Sequence, residues 1–182
     1  SLINNRLNQS AAEAVIRICH RLDGLPLALE LAAARTNVLT VHELADTLES
    51  ELGILQAPGP GGAQQLVDAM VGWTYQRLTR TEQLIFERLS VFGGSFSRTA
   101  VTEVCGAGLS EIHVVDVLSS LVSKSLVERE DEGSTQARFR LLQLIRQYAR
   151  SKFALHPDRV ATQRRHAEYY RDLAERAAPQ LT

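Results

Sequence analysis

The stretch Ser110 to Leu142, SEIHVVDVLSSLVSKSLVEREDEGSTQARFRLL, changes its hydrophobic period halfway along. After Ser110, a capping residue, the apolar Ile112, Val115, Leu118, Leu121 and Val122 recur every three or four positions, which is the spacing of a helix with one buried face. Past Lys124-Ser125 the spacing shortens. Leu126–Glu130 and Arg138–Leu141 are short alternating runs on either side of the polar, Gly-containing turn Asp131–Ala137, the pattern of a β-hairpin.

Two further helices precede this stretch. Thr79-Arg-Thr-Glu82 matches a capping box and opens a helix that runs to about Leu89; FGGSF breaks it, and Ser97 caps a short helix ending near Gly106. Three helices followed by a two-stranded hairpin is the order of a winged helix. After the hairpin, Leu142 leads into an amphipathic helix with Leu144, Ile145, Tyr148, Ala149 and Phe153 on one side, and His156-Pro157 interrupts it. A last helix, about Ala161 to Ala178, carries Ala167, Tyr170, Leu173, Ala174 and Ala177 at helical spacing and has no obvious partner.

The N-terminal part reads as helices alone. Ser10-Ala-Ala-Glu13 and Thr40-Val-His-Glu43 also match the capping box. Behind Ser10, the residues Ala14, Val15, Ile18, Cys19 and Leu22 form one apolar stripe. Gly24 then closes that helix and Pro26 opens the next, because glycine accepts the left-handed conformation past a last turn and proline loses no hydrogen bond at a first one. The second helix, Leu25 to about Asn37, is apolar nearly all round and belongs inside a bundle; a third follows Thr40, with Leu44, Leu48 and Leu52 facing inward. QAPGPGGAQQ, with Pro or Gly at every position from 58 to 62, reads as a flexible boundary, and helical pattern resumes from Leu66 to Trp73.

The expected architecture is therefore mainly α: a helical subdomain over 1–57, a linker over 58–65, a winged helix with a short β-hairpin over 66–155, and further helix over 156–182. Hydrophobic residues make up 45% of the 182 and charged residues 23%, an ordinary composition for a chain with a packed core. No eighteen-residue apolar run exists, and SLINNRLNQS has neither the basic start nor the apolar middle of a signal peptide, so a cytoplasmic protein without membrane contact is expected. Cys19 and Cys105, far apart on apolar faces, are expected as buried reduced thiols.

Charge is uneven. The net formal charge is −3 over residues 1–57, −4 over 58–135 and +6 over 136–182. The helix after Ser110 offers Glu111, His113 and Asp116, with Lys124 only at its end; the hairpin sets Glu128, Glu130, Asp131 and Glu132 against Arg129. DNA affinity depends on Lys and Arg displacing counterions from phosphates. Direct DNA binding by this winged helix is accordingly not expected, and the basic residues lie instead around Arg146, Arg150, Lys152, Arg164 and Arg165. No catalytic set and no metal site is expected: His20, His42, His113, His156 and His166 show no HxxxH or HExxH spacing, and no CxxC occurs.

Five segments, in order, resemble the bacterial transcriptional-regulator branch of the signal-transducing NTPases with numerous domains, the STAND class with an NB-ARC-type module. RICHRLDGLPLALELAAAR resembles its GLPL motif; WTYQRLTRTEQLIFERLSVFGGSF, VLSSLVSKSLVERE and RFRLLQLIRQYARSKF resemble its winged helix; RRHAEYYRDLAERAAPQL is similar to the start of its helical, TPR-like sensor array. The resemblance covers nearly all of the chain from about Ala11. It implies a regulatory, interaction-mediating module that closes over ADP or ATP with Mg held by a separate upstream P-loop domain, and that couples it to a downstream TPR-like sensor, with a protein partner or self-association as further possibilities. The alternative is a DNA-binding winged-helix transcription factor domain.

The resemblance also implies site residues. Leu25, Pro26 and Leu27 would give apolar contact to adenine and ribose. Leu142 stands where the family carries the histidine of a Met-His-Asp motif, the local sequence here being Leu141-Leu142-Gln143. Leucine donates nothing to a phosphate, so ADP sensing does not carry over with it. The Walker sequence G-x-x-x-x-G-K-[ST] does not occur in these residues, so no ATPase activity and no cofactor is expected of this stretch by itself.

Overall fold

A computed structural model describes residues 2–22, 24–51, 62–130 and 137–177. It divides into two compact units, residues 1–76 and 77–182.

In the first unit α1 spans Leu2–Arg21, α2 Pro26–Ala33, a 3-10 turn Ala34–Asn37, α3 Val41–Glu51 and α4 Gly62–Gln76. Gly24 takes φ +64 and its amide reaches back to the Cys19 carbonyl at 3.1 Å, which ends α1 as the glycine predicts. Pro26 is the first helical residue of α2. Thr40 and Glu43 exchange the two bonds of a capping box, 2.9 Å from the Thr40 amide and 3.3 Å to its hydroxyl.

Four expectations need correction here. Ser10 is no cap: α1 continues upstream of it, and its hydroxyl instead meets His42 Nε2 at 2.7 Å. The apolar stripe of α1 is narrower than expected, since Ala14, Ile18 and Leu22 are buried while Val15 and Cys19 are exposed. The second helix tightens into 3-10 geometry after Ala33, and Ala28, Leu31 and Ala32 alone are buried in α2. Of the stretch expected as a linker, 58–61 lie outside the described residues and Gly62–Gln65 are already α4, which packs on α2; Leu52 also lies outside them. Residues 66–76 thus belong to the first unit rather than to the winged helix.

Packing, not surface charge, holds α1 to α3. Leu44 and Leu48 are each 1% exposed, and full burial of such a side chain contributes about 1.5–3 kcal/mol. Arg17 bridges Asp46 and Glu49 at 2.8 Å, but exposed pairs add at most about 1 kcal/mol. Beside them the Arg35 guanidinium lies 3.4 Å from the Trp73 ring centroid and donates to the Thr74 hydroxyl, tying the 3-10 turn to α4.

The second unit carries α5 (Arg80–Leu89), β1 (Phe96–Ser97), α6 (Arg98–Cys105), α7 (Glu111–Ser123), β2 (Glu128–Glu130), β3 (Arg138–Arg140), α8 (Gln143–Phe153) and α9 (Arg159–Ala177). The sheet is antiparallel with order β1-β3-β2, pairing Phe96 with Phe139 and Arg129 with Phe139. The hairpin expected from alternation is therefore the larger part of a three-stranded sheet; β1 has two residues, too few to show a period. The turn between β2 and β3 lies outside the described residues over 131–136, as do residues 178–182.

Thr79, Ser97 and Ser110 cap α5, α6 and α7 as their sequences predict. Ile85, Phe86 and Leu89 of α5 are fully buried with Val101, Val104 and Cys105 of α6, Val114 and Leu121 of α7, and Ala149 of α8. Phe92 stacks on Phe96 at 4.7 Å, and Phe96 on Phe139 at 6.5 Å, joining the core to the sheet. Cys105 is buried as expected, and its surroundings push the thiol pKa up by desolvation.

The exit from α7 has no glycine. Ser125 takes φ +55, the Leu126 amide donates to the Leu121 carbonyl at 3.0 Å and the Ser125 amide to that of Val122 at 2.9 Å, the pair of bonds of a Schellman cap. A serine in the left-handed region is strained by about 1 kcal/mol relative to glycine. Ser125→Gly is expected to raise the urea midpoint, by roughly 0.5–1 kcal/mol in stability; an unchanged or lowered midpoint would show that the serine's own contacts outweigh the strain.

Candidate nucleic-acid interface

In a winged helix the third helix and the wing are the surfaces that meet a duplex, and here α7, β2 and β3 occupy those places. Burial fixes which face of α7 is free. Val114, Leu118 and Leu121 point to the core, which leaves Glu111, Ile112, His113, Asp116, Ser119 and Ser123 exposed; Ile112 is 73% exposed. None of the thirteen helical residues is Lys or Arg.

The one cation at the end of α7 is already engaged. Lys124 Nζ meets Glu82 Oε1 at 2.6 Å, and the Ser120 hydroxyl donates to the same oxygen at 2.5 Å. Glu82 also accepts from the Thr79 amide at 2.7 Å, so one carboxylate caps α5 and anchors α7. Burial pushes its pKa up, but the donors from Lys124, Ser120 and Thr79 outweigh that and hold it below the usual carboxylate value. At the N-terminus of α7, Arg98 lies 3.7 Å from Glu111.

Two arginines of the wing are similarly engaged. Arg140 pairs with Glu128 at 2.8 Å and Glu130 at 3.2 Å, while Arg138 donates to the Ser95 hydroxyl at 2.9 Å and its carbonyl at 2.8 Å. Asp131 and Glu132 lie outside the described residues. Arginines held in this way have fewer free N–H groups for phosphate oxygens.

The basic C-terminal quarter serves mostly as a frame. Arg165 donates to the Val104 carbonyl at 2.9 Å and lies 3.3 Å from Asp158, docking α9 on α6. This is the partner that the last helix lacked on sequence grounds: Thr162 is fully buried, and His166 and Tyr170 pack against Phe92 at 5.1 and 6.4 Å, whereas Ala167, Leu173, Ala174 and Ala177 are exposed. Arg164 pairs with Glu168 at 2.8 Å, and Lys152 sits 5.2 Å from the Tyr148 ring. Sequence reasoning missed Arg88. Only 7% of its side chain is exposed, and it meets Asp158 at 2.7 Å and the Cys105 carbonyl at 2.5 Å.

The other sequence-derived site residues fall in both units. Leu25 and Leu27 are half-buried and Pro26 is exposed at the corner before α2; Leu142 is half-buried at the head of α8, following buried Leu141. Among the described residues no group of three His, Cys, Asp or Glu could hold a metal ion, and no helix is long and apolar enough to cross a membrane.

Residues 78–154 match the winged helix-turn-helix domain family, which agrees with the fold from the capping Thr79 to the end of α8. The chain is 43% identical over 172 residues, 92% of its length, to a protein of Mycobacterium tuberculosis H37Rv named "Putative HTH-type transcriptional regulator", and equally to a protein of the same description from Mycobacterium bovis. It is also 36% identical over 154 residues to an uncharacterized protein of Mycobacterium tuberculosis, covering 81% of this chain and 38% of that one. The chain spans about a fifth of the length of the two named regulators, 19% of each. A winged helix-turn-helix domain homologous to part of these regulators is thus present.

Proposed function

We propose that this chain works within a transcriptional regulator, with the winged helix as its regulatory segment. The winged-helix match over 78–154 carries this reading, and the names of the relatives support it. DNA is the partner they favour, at least as well as a purely protein-facing role. Surface chemistry restricts how such contact is made: His113 and Ser119 can address base edges, but cationic phosphate anchors have to come from outside α7. Fluorescence anisotropy with random-sequence duplex DNA tests this. A shallow slope of log affinity against log salt is expected, about −1 to −3, the signature of one to three phosphate contacts. Absence of any salt-dependent signal removes the DNA reading.

A second reading is favoured by the exposed Pro26 in the GLPL corner. On it, Leu25, Pro26 and Leu27 face a nucleotide held by a separate P-loop domain, which supplies ADP or ATP with Mg, and α9 begins a TPR-like array. Pro26 suits that place because a ring without an amide proton lies against a base and leaves no donor unpaired. Titration with ATP and ADP decides it: weak or no binding is expected for this chain and tight binding for a longer protein with the preceding sequence, while tight binding to this chain alone excludes it.

A further inference from the structure

One recess of the second unit gathers cations and has no carboxylate in its walls. It measures about 510 Å³ and lies between the turn Ser90–Gly93, the last two turns of α8 with Arg146, Arg150 and Phe153, and the first turns of α9 with Arg159, Gln163 and His166. Arg146 donates to the Gly93 carbonyl, and Arg159 to the Ala154 carbonyl at 3.3 Å, which fixes both guanidinium groups while leaving most of their N–H donors open. Arg150 is exposed and has no partner among the described residues. Several other arginines of this unit are answered by acids: Arg164 by Glu168, Arg171 by Asp172, Arg140 by Glu128. Asp158, next to Arg159 in sequence, is taken by Arg88 and Arg165 and does not line the recess.

Three like charges around one concavity repel unless an anion lies among them. Three guanidinium forks offer more N–H donors than the two oxygens of one carboxylate can accept, and a phosphoryl group presents more oxygens to them. Ala154 adds a small apolar surface beside buried Phe153. The concavity favours a small ligand, since a duplex backbone reaches its contacts across an open surface. No residue of α7 lines it.

We propose that this recess binds a small phosphorylated molecule, with Arg146, Arg150 and Arg159 holding the phosphoryl oxygens. Such a ligand touches both α8 and α9, so occupancy ties α9 more firmly to the winged helix.

Pyrophosphate is the probe, titrated calorimetrically into the full chain, with thermal unfolding as a second readout. Saturable binding and a raised Tm are expected in the wild type. R150Q/R159Q, two exposed positions, is expected to weaken binding at least tenfold, and R164Q, on the same helix but outside the recess, to leave it unchanged. Should the double variant misfold by circular dichroism, R150Q alone is read the same way, with at least a threefold loss. Random-sequence duplex DNA is expected not to displace pyrophosphate. Lack of saturable binding, or binding unchanged in the arginine variants, overturns the proposal. Displacement by duplex DNA overturns the small-molecule assignment and gives the recess to a nucleic-acid backbone.

Discussion

Replacing Arg88 with methionine is expected to destabilise the chain by roughly 3 kcal/mol, read as a lowered urea midpoint. Arg88 joins α5 to the end of α6 through the Cys105 carbonyl and to the start of α9 through Asp158. Removing it leaves a carbonyl of a buried residue without this donor and a carboxylate short of one cation, and each loss costs about 1–3 kcal/mol. Two facts keep the total below the upper end of that range. The buried Arg88 Nε has no acceptor among the described residues, so methionine removes that penalty, and Asp158 keeps Arg165 and the Thr162 hydroxyl, at 3.3 and 3.0 Å. The same substitution shifts acid unfolding. Burial pushes the Asp158 pKa up, but Thr162, Arg88 and Arg165 together hold it below its ordinary value. A depressed carboxyl group contributes stability above its unfolded pKa of about 3.9, and this is lost as pH falls through the lower native value. R88M therefore moves the acid midpoint to higher pH. A variant with unchanged urea and acid midpoints would mean that the Arg88 contacts hold nothing together.

Gly106→Ala is expected to cost roughly 2–3 kcal/mol, for a different reason. Gly106 ends α6 with ordinary angles, φ −79 and ψ 6, so glycine is not needed for its conformation. It is needed for space: a Cβ would stand 2.5 Å from the Thr102 carbonyl oxygen and 2.9 Å from Val114 Cγ2. One neighbour is helix backbone and the other a fully buried side chain of α7, so neither moves without opening the contact between α6 and α7. The outcome is a lowered thermal midpoint. Val114→Ala in the same background should recover part of the loss, because it removes one of the two collisions. Full stability of G106A would contradict the close approach of these helices.

Which of these features could be read from sequence depends on whether their cause is local. Thr40, Thr79, Ser97 and Ser110 state their caps within three residues, and Gly24-Leu25-Pro26 states its corner in the same way. Ser10 carries the same local pattern, but what decides its role is the upstream continuation of α1 and the approach of His42, thirty-two residues away. Ser125 performs a glycine's task without being one, so composition concealed the stop after α7. The third strand was hidden because Phe96-Ser97 is too short to alternate and is a strand only because β3 passes beside it. The arginines gave least away. Arg88, Arg140, Arg146 and Arg165 count alike in a charge tally, yet one is buried in a cross-link, one neutralised in the wing, one faces a recess and one docks a helix. The acidic character of α7 was legible from Glu111 and Asp116 themselves, although spacing put Ile112 on the buried face and it is 73% exposed; the engagement of Lys124 by Glu82 was not legible.

That face decides how the proposed DNA contact is made: none of the thirteen residues of α7 is Lys or Arg, so the cations that would meet phosphates lie outside this helix. Anisotropy with random duplex DNA, measured across salt for the wild type, H113A and E111K/D116K, tests it most directly. H113A is expected to bind as the wild type does, and E111K/D116K more than tenfold tighter at low salt with a slope steeper by about 2, one for each new phosphate contact. A wild type that binds tightly with a steep slope, and loses that binding in H113A, would contradict it.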